Sequence, residues 1–468
     1  MERSKELTAI DSLLFTQDFV IRLGFIFVGK LSESKLKNAL TQVTQKHYPI
    51  YGCRLKKKAG GLFEYVIPNH YDEVTRPFEY ECIDKSHKSL SADMDLSKFP
   101  TEKTSDAEQS VILNDVPDYS KVFTFKETGK ESYLNCERSM LGLYITKYSD
   151  YTAVLFTASH MLCDAHGLRL LLTAWQDVLN NRPVTALKEE LVLPKVEGKN
   201  PIHVPVKPLT TWNQIAMVTN IFWQMFRNGK PIPKRIILSK EKMEKIREGA
   251  QSLTNKYTIS RWDILLALST KLSAVGRAGN EFNKMFVGSI VGLRSRVKNC
   301  DNYPHNLWLN IPNKLSSKEI AELSFYELIV RLKSFTAKVT NDPEELMKIV
   351  NAMEASKPRP VFRYPFNFLL VVTHWGSFKF LNLDLGAATE VEEPNKDTAG
   401  KVIAFEPLMD APTVTDSGYV LFDDGQFGQG GAMLNHVMFE HCWRTAEREL
   451  NGIVSFIESI GEKQDLTL

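Results

Sequence analysis

Residues 152–180 read TAVLFTASHMLCDAHGLRLLLTAWQDVLN, an apolar run over Thr152–Ser159, a short polar break, and then apolar residues at helical spacing from Gly167 to Asn180. The first part predicts a strand buried on both faces, the last an amphipathic helix, and the break a strand-to-helix turn. That junction points to an α/β fold. It also holds the densest cluster of ionisable side chains beside apolar structure in the chain: His160, Cys163, Asp164 and His166. An imidazole with an ordinary pKa of about 6.5 can take a proton from a hydroxyl or amine at neutral pH and return it later. The same residues equally fit a satisfied core histidine followed by Asp164 as the helix N-cap. Cys163 reads as a buried inert thiol and His166 as helix surface.

Outward from the junction, residues 16–28 predict a strand and Ser32–Lys46 a helix capped by Ser32. Residues 50–68 predict a hairpin turning at Gly60-Gly61, and Asp84–Gln109 a loop or short surface helix. Residues 181–211 carry Pro183, Pro194, Pro201, Pro205 and Pro208 without periodicity, the composition of an extended crossover. The expected organisation is an N-terminal domain over 1–185, a linker over 186–211 and a C-terminal domain over 212–468. In the second half, Ser239–Ala250 and Ser260–Gly276 predict helices with serine caps, and 286–293 and 366–373 predict strands. Leu434–Ile460 predicts one long or two short amphipathic helices.

With 468 residues, 43% of them hydrophobic and 24% charged, the chain is large enough for one large domain or two ordinary ones and excludes disordered or fibrous classes. Lys and Arg total 58 against 56 Asp and Glu, a net +2 that supplies no general field for a nucleic acid. No run of about 18 apolar residues and no signal-like N-terminus is present, so a cytoplasmic protein without a transmembrane segment is expected. The six cysteines lack any CxxC or repeated spacing, which predicts free thiols, no zinc site and no other metal.

Three separated segments then combine. Ser-His160-x-x-x-Asp164-x-x-Gly167 resembles the HxxxD motif of the BAHD and related fungal acyltransferases. Residues 288–310, GSIVGLRSRVKNCDNYPHNLWLN, resemble the family's Arg-x-Arg strand, with Arg294, Arg296, Tyr303 and Asn306 in order. Residues 371–388, VVTHWGSFKFLNLDLGAA, resemble its Thr-x-Trp strand and DFGWG motif through Thr373, Trp375, Asp384 and Gly386. Leu7–Asp11, His47–Leu55 and Tyr257–Ala274 match further landmarks, so the resemblance spans most of the chain. It departs from the family at Leu385, Ala387 and Ala388, where two aromatic rings and a glycine are missing.

The resemblance implies two chloramphenicol-acetyltransferase-like domains of mixed sheet plus helices, an interface tunnel, and a monomer with no permanently bound cofactor. Acyl-coenzyme A is the implied co-substrate and a small alcohol or amine the acceptor. The implied catalytic set is His160, Asp164 and Trp375: His160 as general base, Trp375 as oxyanion donor through its indole N–H, and Asp164 as a scaffold turned toward Arg294, with Arg296 as the other possible partner. Gly167, Arg294, Asn306, Asp384 and Gly386 support the site, and Thr373 lines the acceptor pocket. Without that resemblance, Trp375 reads as core packing, Thr373 as β-propensity, Asn306 as a turn residue and Ser260 as an N-cap. His374 should face away from Trp375's side of its strand. Transfer to a hydroxyl is the leading expectation. An N-acyltransferase, a condensation-type enzyme with a carrier-bound donor and a non-catalytic descendant are the alternatives.

Overall fold

The structure is a computed structural model of the full chain and describes residues 3–462 except 14–15, 18, 74, 96–109, 125–137, 192–193, 195, 197–199, 205, 209, 278–284, 298–299, 358–359, 362–367, 391–397, 409–415 and 423–430. Its first half runs β1 (Arg3–Glu6), β2 (Val20–Val28), α1 (Glu33–Gln42), β3 (Arg54–Lys57), β4 (Phe63–Ile67), β5 (Glu79–Asp84), β6 (Val111–Asp115), β7 (Leu141–Lys147), β8 (Tyr151–Ser159) and α2 (Ala165–Leu179). The second half begins with β9 (Lys207–Pro208), α3 (Thr211–Asn228), β10 (Pro231–Leu238), α4 (Lys240–Ser252), α5 (Arg261–Val275), β11 (Met285–Gly292) and β12 (Trp308–Leu315). It continues through α6 (Ser317–Glu322), α7 (Phe325–Thr340), α8 (Pro343–Ala355), β13 (Pro360–Val361), β14 (Phe368–His374), β15 (Val402–Pro407), β16 (Asp416–Phe422), β17 (Ala432–Phe439), α9 (Glu440–Glu449) and α10 (Ile453–Ser459).

Two mixed sheets organise the molecule, one of five strands in the order β15-β2-β8-β7-β5 and one of seven in the order β12-β11-β14-β16-β17-β10-β6. Each sheet takes an edge strand from the far side of the 186–211 segment: β15 pairs with β2, and β6 pairs with β10. A buried polar cluster joins them, since Arg235 on β10 reaches Glu406 on β15 at 2.6 Å and Asn435 at 3.1 Å. Such a pair is intolerant of losing one partner.

Local chemistry sets the element ends. The Ser32 hydroxyl accepts from Lys35 N, Gly60 and Gly61 turn the β3–β4 region with φ of 78° and 80°, and Ser260 and Asp263 form a reciprocal capping box on α5. The Ser239 hydroxyl caps α4 by accepting from Lys242 N. Two expectations need correction. Leu434–Phe439 is strand, not helix, because β17 lies in the interior of the seven-stranded sheet and every residue in it is buried, leaving an apolar run without period. A helix, α3, also stands at the end of the crossover where none was expected.

Candidate active site

His160 follows β8, the middle strand of the five-stranded sheet, and its N–H donates to the Phe19 carbonyl at 2.8 Å. The turn after it is held at its carbonyls by side chains from distant segments. Asn306 Nδ2 donates to the His160 carbonyl at 2.7 Å, the Tyr65 hydroxyl to that of Met161 at 2.6 Å, and His305 Nδ1 lies 2.9 Å from that of Leu162. The Tyr51 hydroxyl closes the set on Gly167 O at 2.5 Å. Each such bond contributes about 1 kcal/mol, and together they fix where the imidazole points.

The His160 ring lies between Phe19, centroids 5.6 Å apart, and Trp308, 6.0 Å apart, yet the residue keeps part of its surface exposed. Burial lowers its pKa below the ordinary value, with a hydrogen bond to its own backbone and the Asp164 charge opposing that shift. The imidazole is therefore neutral at pH 7, the state a proton acceptor needs.

Asp164 does two things at once. One carboxylate oxygen accepts from Gly167 N at 2.9 Å as the N-cap of α2, and the other accepts from Arg294 Nη1 at 2.8 Å and Leu307 N at 3.1 Å. Burial alone would raise its pKa, but Arg294 and the two backbone amides hold it below the usual carboxylate value. The N-cap and ion-pair readings of the sequence are thus both present. Arg294 also donates to the Tyr303 carbonyl at 3.0 Å and that of His305 at 2.5 Å, while Arg296 turns to Gly292 O at 2.7 Å. Gly167 is required by packing, since a Cβ there would meet Pro304 O at 2.1 Å.

Asn306 joins the halves. Its backbone and side-chain N–H groups reach Asp11 Oδ1 at 3.0 and 2.8 Å, and its Oδ1 accepts from Trp308 Nε1 at 3.0 Å. Asp11 is fully buried and burial pushes its carboxyl up to about 6. Sequence reading passed over Asp11, Tyr51, Tyr65 and His305 as site residues. Landmark stretches contained Asp11, Tyr51 and His305, and nothing in them marked Tyr65.

Trp375 directly follows β14, is 5% exposed, and belongs to the same apolar cluster as Met161, Leu162 and Cys163. Its indole N–H is buried and meets no hydrogen-bond partner among the described residues. Thr373 lies two residues earlier on β14, partly exposed and opposite Tyr419 of β16. His374 between them packs on Trp262 of α5 at 5.5 Å, and burial lowers its pKa to about 4. Asp384 and Gly386 stand apart in a turn of their own: Asp384 Oδ1 accepts from Gly386 N at 2.8 Å, and Asp384 N donates to Gln176 at 2.9 Å. Cys163 is buried, which pushes its thiol well up, out of nucleophile range.

A cavity of about 300 Å³ opens beside α2 among Tyr48, His166, Arg169, Asp177, Phe378 and Lys379. Phe378 lines it and makes edge-on ring contacts with both His166 and Trp375, each at 6.2 Å.

The Transferase family model matches residues 105–403, more than half of the chain. The acetyltransferase pyiB of Pyricularia grisea is 20% identical over 83% of this chain and 81% of its own length. Among solved structures, F. graminearum TRI101 complexed with coenzyme A and deoxynivalenol superposes with a TM-score of 0.70 at 12% identity, over 94% of this chain and 96% of that one. Vinorine synthase superposes at 0.62 and 16% identity, over 97% and 95%. This chain belongs to the Transferase family of BAHD-type acyltransferases and has their two-domain, chloramphenicol-acetyltransferase-like α/β fold.

Proposed function

We propose that the chain moves an acyl group from coenzyme A to a hydroxyl of a small metabolite, with His160 as general base. The observation that carries this reading is the state of His160, a partly exposed residue whose imidazole burial keeps neutral, on a turn whose first three carbonyls are held from outside. In the reaction so read, His160 takes the acceptor's proton as its oxygen attacks the thioester carbonyl. The tetrahedral intermediate collapses with cleavage of the carbon–sulfur bond, and His160 returns the proton to the departing thiolate. The charge on the former carbonyl oxygen needs a donor, and the buried indole N–H of Trp375, unpartnered among the described residues, supports that assignment. Thr373, on the same edge of β14, is assigned to the acceptor side. Asp164 and Arg294 are positioning residues. Residues 1–185 and 212–468 act as the two domains, and the working unit is a monomer.

The cytoplasm is the compartment we assign, because the described cysteines Cys53, Cys82, Cys163, Cys300 and Cys442 are all free. The test is a panel of acyl-coenzyme A species against alcohols and amines, scored by released thiol. Turnover with an alcohol and free acyl-coenzyme A, lost in His160→Ala, supports the reading. Turnover confined to amines would replace it with N-acyl transfer, and turnover confined to a carrier-bound donor with a condensation-type reaction.

A further inference from the structure

Helix α3 turns its apolar face outward. Trp212, Ile215, Val218, Phe222, Trp223 and Phe226 recur at helical spacing and are 74, 52, 46, 68, 58 and 85% exposed. The inward side is held by Ala216 and Asn228, by Met225 against the C-terminal core, and by Arg277, which donates to Gln224 at 2.8 Å. This is the reverse of the usual arrangement, in which the apolar stripe of a surface helix faces the core. So large a contiguous apolar patch marks a docking surface.

The charges around the patch say what docks there. No Asp or Glu occurs between Gly198 and Lys240, whereas Lys199, Lys207, Arg227, Lys230, Lys234, Arg235 and Lys240 do. Of these, Arg227 and Lys230 are exposed beside the aromatic end of the helix. Arg235 is buried against Glu406, and the nearby Glu440 is engaged by Arg444 at 2.7 Å. A second copy of the chain packed side by side in the parallel orientation would set Arg227 and Lys230 against their own counterparts, cation on cation. Exposed Trp and Phe on one face with cations beside them fit the headgroup boundary of an anionic bilayer, where indole rings settle and cations meet lipid phosphate. No described helix is long and apolar enough to cross a membrane, so the contact is a surface one.

We propose that α3 is a membrane-docking helix that lays the enzyme on anionic lipid. The proposal is independent of the roles assigned to His160 and Trp375. The full-length protein is mixed with vesicles of phosphatidylcholine and phosphatidylserine in equal parts, or of phosphatidylcholine alone, and floated through a density gradient. Binding is expected to the anionic vesicles, weaker to the neutral ones, and weakened by salt. Trp212→Ser, Phe222→Ser, Trp223→Ser and Phe226→Ser combined should abolish flotation without lowering the thermal midpoint, because these side chains are exposed. Arg227→Gln with Lys230→Gln should weaken partitioning roughly fivefold per cation removed. Failure of the wild-type protein to float with anionic vesicles overturns the proposal, as does undiminished flotation of the four-serine variant. A concentration-dependent dimer that the four-serine variant abolishes, with no vesicle binding, would assign the face to a second copy instead.

Discussion

Two turns, residues 160–167 and 384–388, carry family landmarks and are held in opposite ways. The first is held by side chains arriving from far along the chain: Asn306, Tyr65, His305 and Tyr51 on its carbonyls and Arg294 on Asp164. The second leans mainly on backbone, with Gln176 and Lys35 adding side-chain bonds to its Asp384 N–H and Ala387 carbonyl. Leu385 N donates to Gly400 O at 2.8 Å, Ser32 N donates to the Ala388 carbonyl at 2.7 Å, and Asp384 bridges Lys401. A backbone bond does not depend on the side chain the residue carries, whereas a side-chain bond vanishes with it. The second turn can therefore lose two aromatic rings and keep its shape. What it retains, Asp384 and Gly386, is what its own hydrogen bond and packing use: a Cβ on Gly400 would already lie 2.3 Å from Gly386 N, leaving no room to spare there.

The largest effect should come from the chemistry that the first turn aims. His160→Ala is expected to lower turnover by ~10²–10⁴-fold with donor binding nearly intact, measured by thiol release and by donor titration. In the intact enzyme, kcat/KM should rise with pH through an apparent pKa below the ordinary histidine value of ~6.5, because burial disfavours the imidazolium. An acid limb at or above that value would contradict the burial. Stability should move in the same direction. His160, His305 (about 3) and His374 (about 4) stay neutral in the fold while the unfolded chain takes up protons below ~6.5. Unfolding is thus favoured as pH falls from there toward 4. Asp11, raised to about 6, opposes them with a single group.

Next in size is the Asp164–Arg294 pair. Asp164→Asn and Arg294→Met should each destabilise by ~3–5 kcal/mol, and the double variant by less than their sum, with a coupling of ~1 kcal/mol or more in denaturant unfolding. The double variant should not be neutral, because Arg294 also serves the carbonyls of Tyr303 and His305, and Asp164 the amides of Gly167 and Leu307. Strict additivity would mean that the first turn does not depend on the pair.

The difference between the turns also explains what sequence could reveal. His160, Asp164, Gly167 and Arg294 are legible because their residue types recur in a fixed order. The Asp11–Asn306 contact joins residues 295 positions apart, and the Tyr65 and His305 bonds are equally nonlocal, so no spacing announces them. Strand β8 was readable from its length and the break after it. β17, equally apolar, runs straight into α9 without a turn residue and so resembles one long helical stretch. The pairings of β6 and β15 across the crossover are likewise set by tertiary contact alone.

Trp375 sharpens the comparison from the other side of the site. Its N–H meets no partner among the described residues, so Trp375→Phe should leave the unfolding midpoint unchanged. If that N–H meets the oxyanion, turnover should fall by about 10²–10³-fold with KM little altered. Full turnover in the Phe variant would reduce Trp375 to packing against Phe378 and Phe380.

The smallest expected effect tests the second turn directly. Ala387 is exposed, and the turn's hydrogen bonds pass through its neighbours' backbone and through the Ala387 carbonyl, which accepts from Lys35 at 3.2 Å. Ala387→Trp restores one of the missing rings without disturbing any of these bonds, so stability should change by no more than about 0.5 kcal/mol. The donor KM should also stay put if the donor meets only the turn's backbone, which the added ring leaves in place. Leu385→Phe is the contrasting substitution: Leu385 is fully buried, and the larger ring should overpack its site by ~1–3 kcal/mol. A several-fold drop in donor KM for Ala387→Trp, with the midpoint unchanged, would show that a ring at this position contacts the coenzyme, and that the missing aromatic weakens donor binding rather than being indifferent to it.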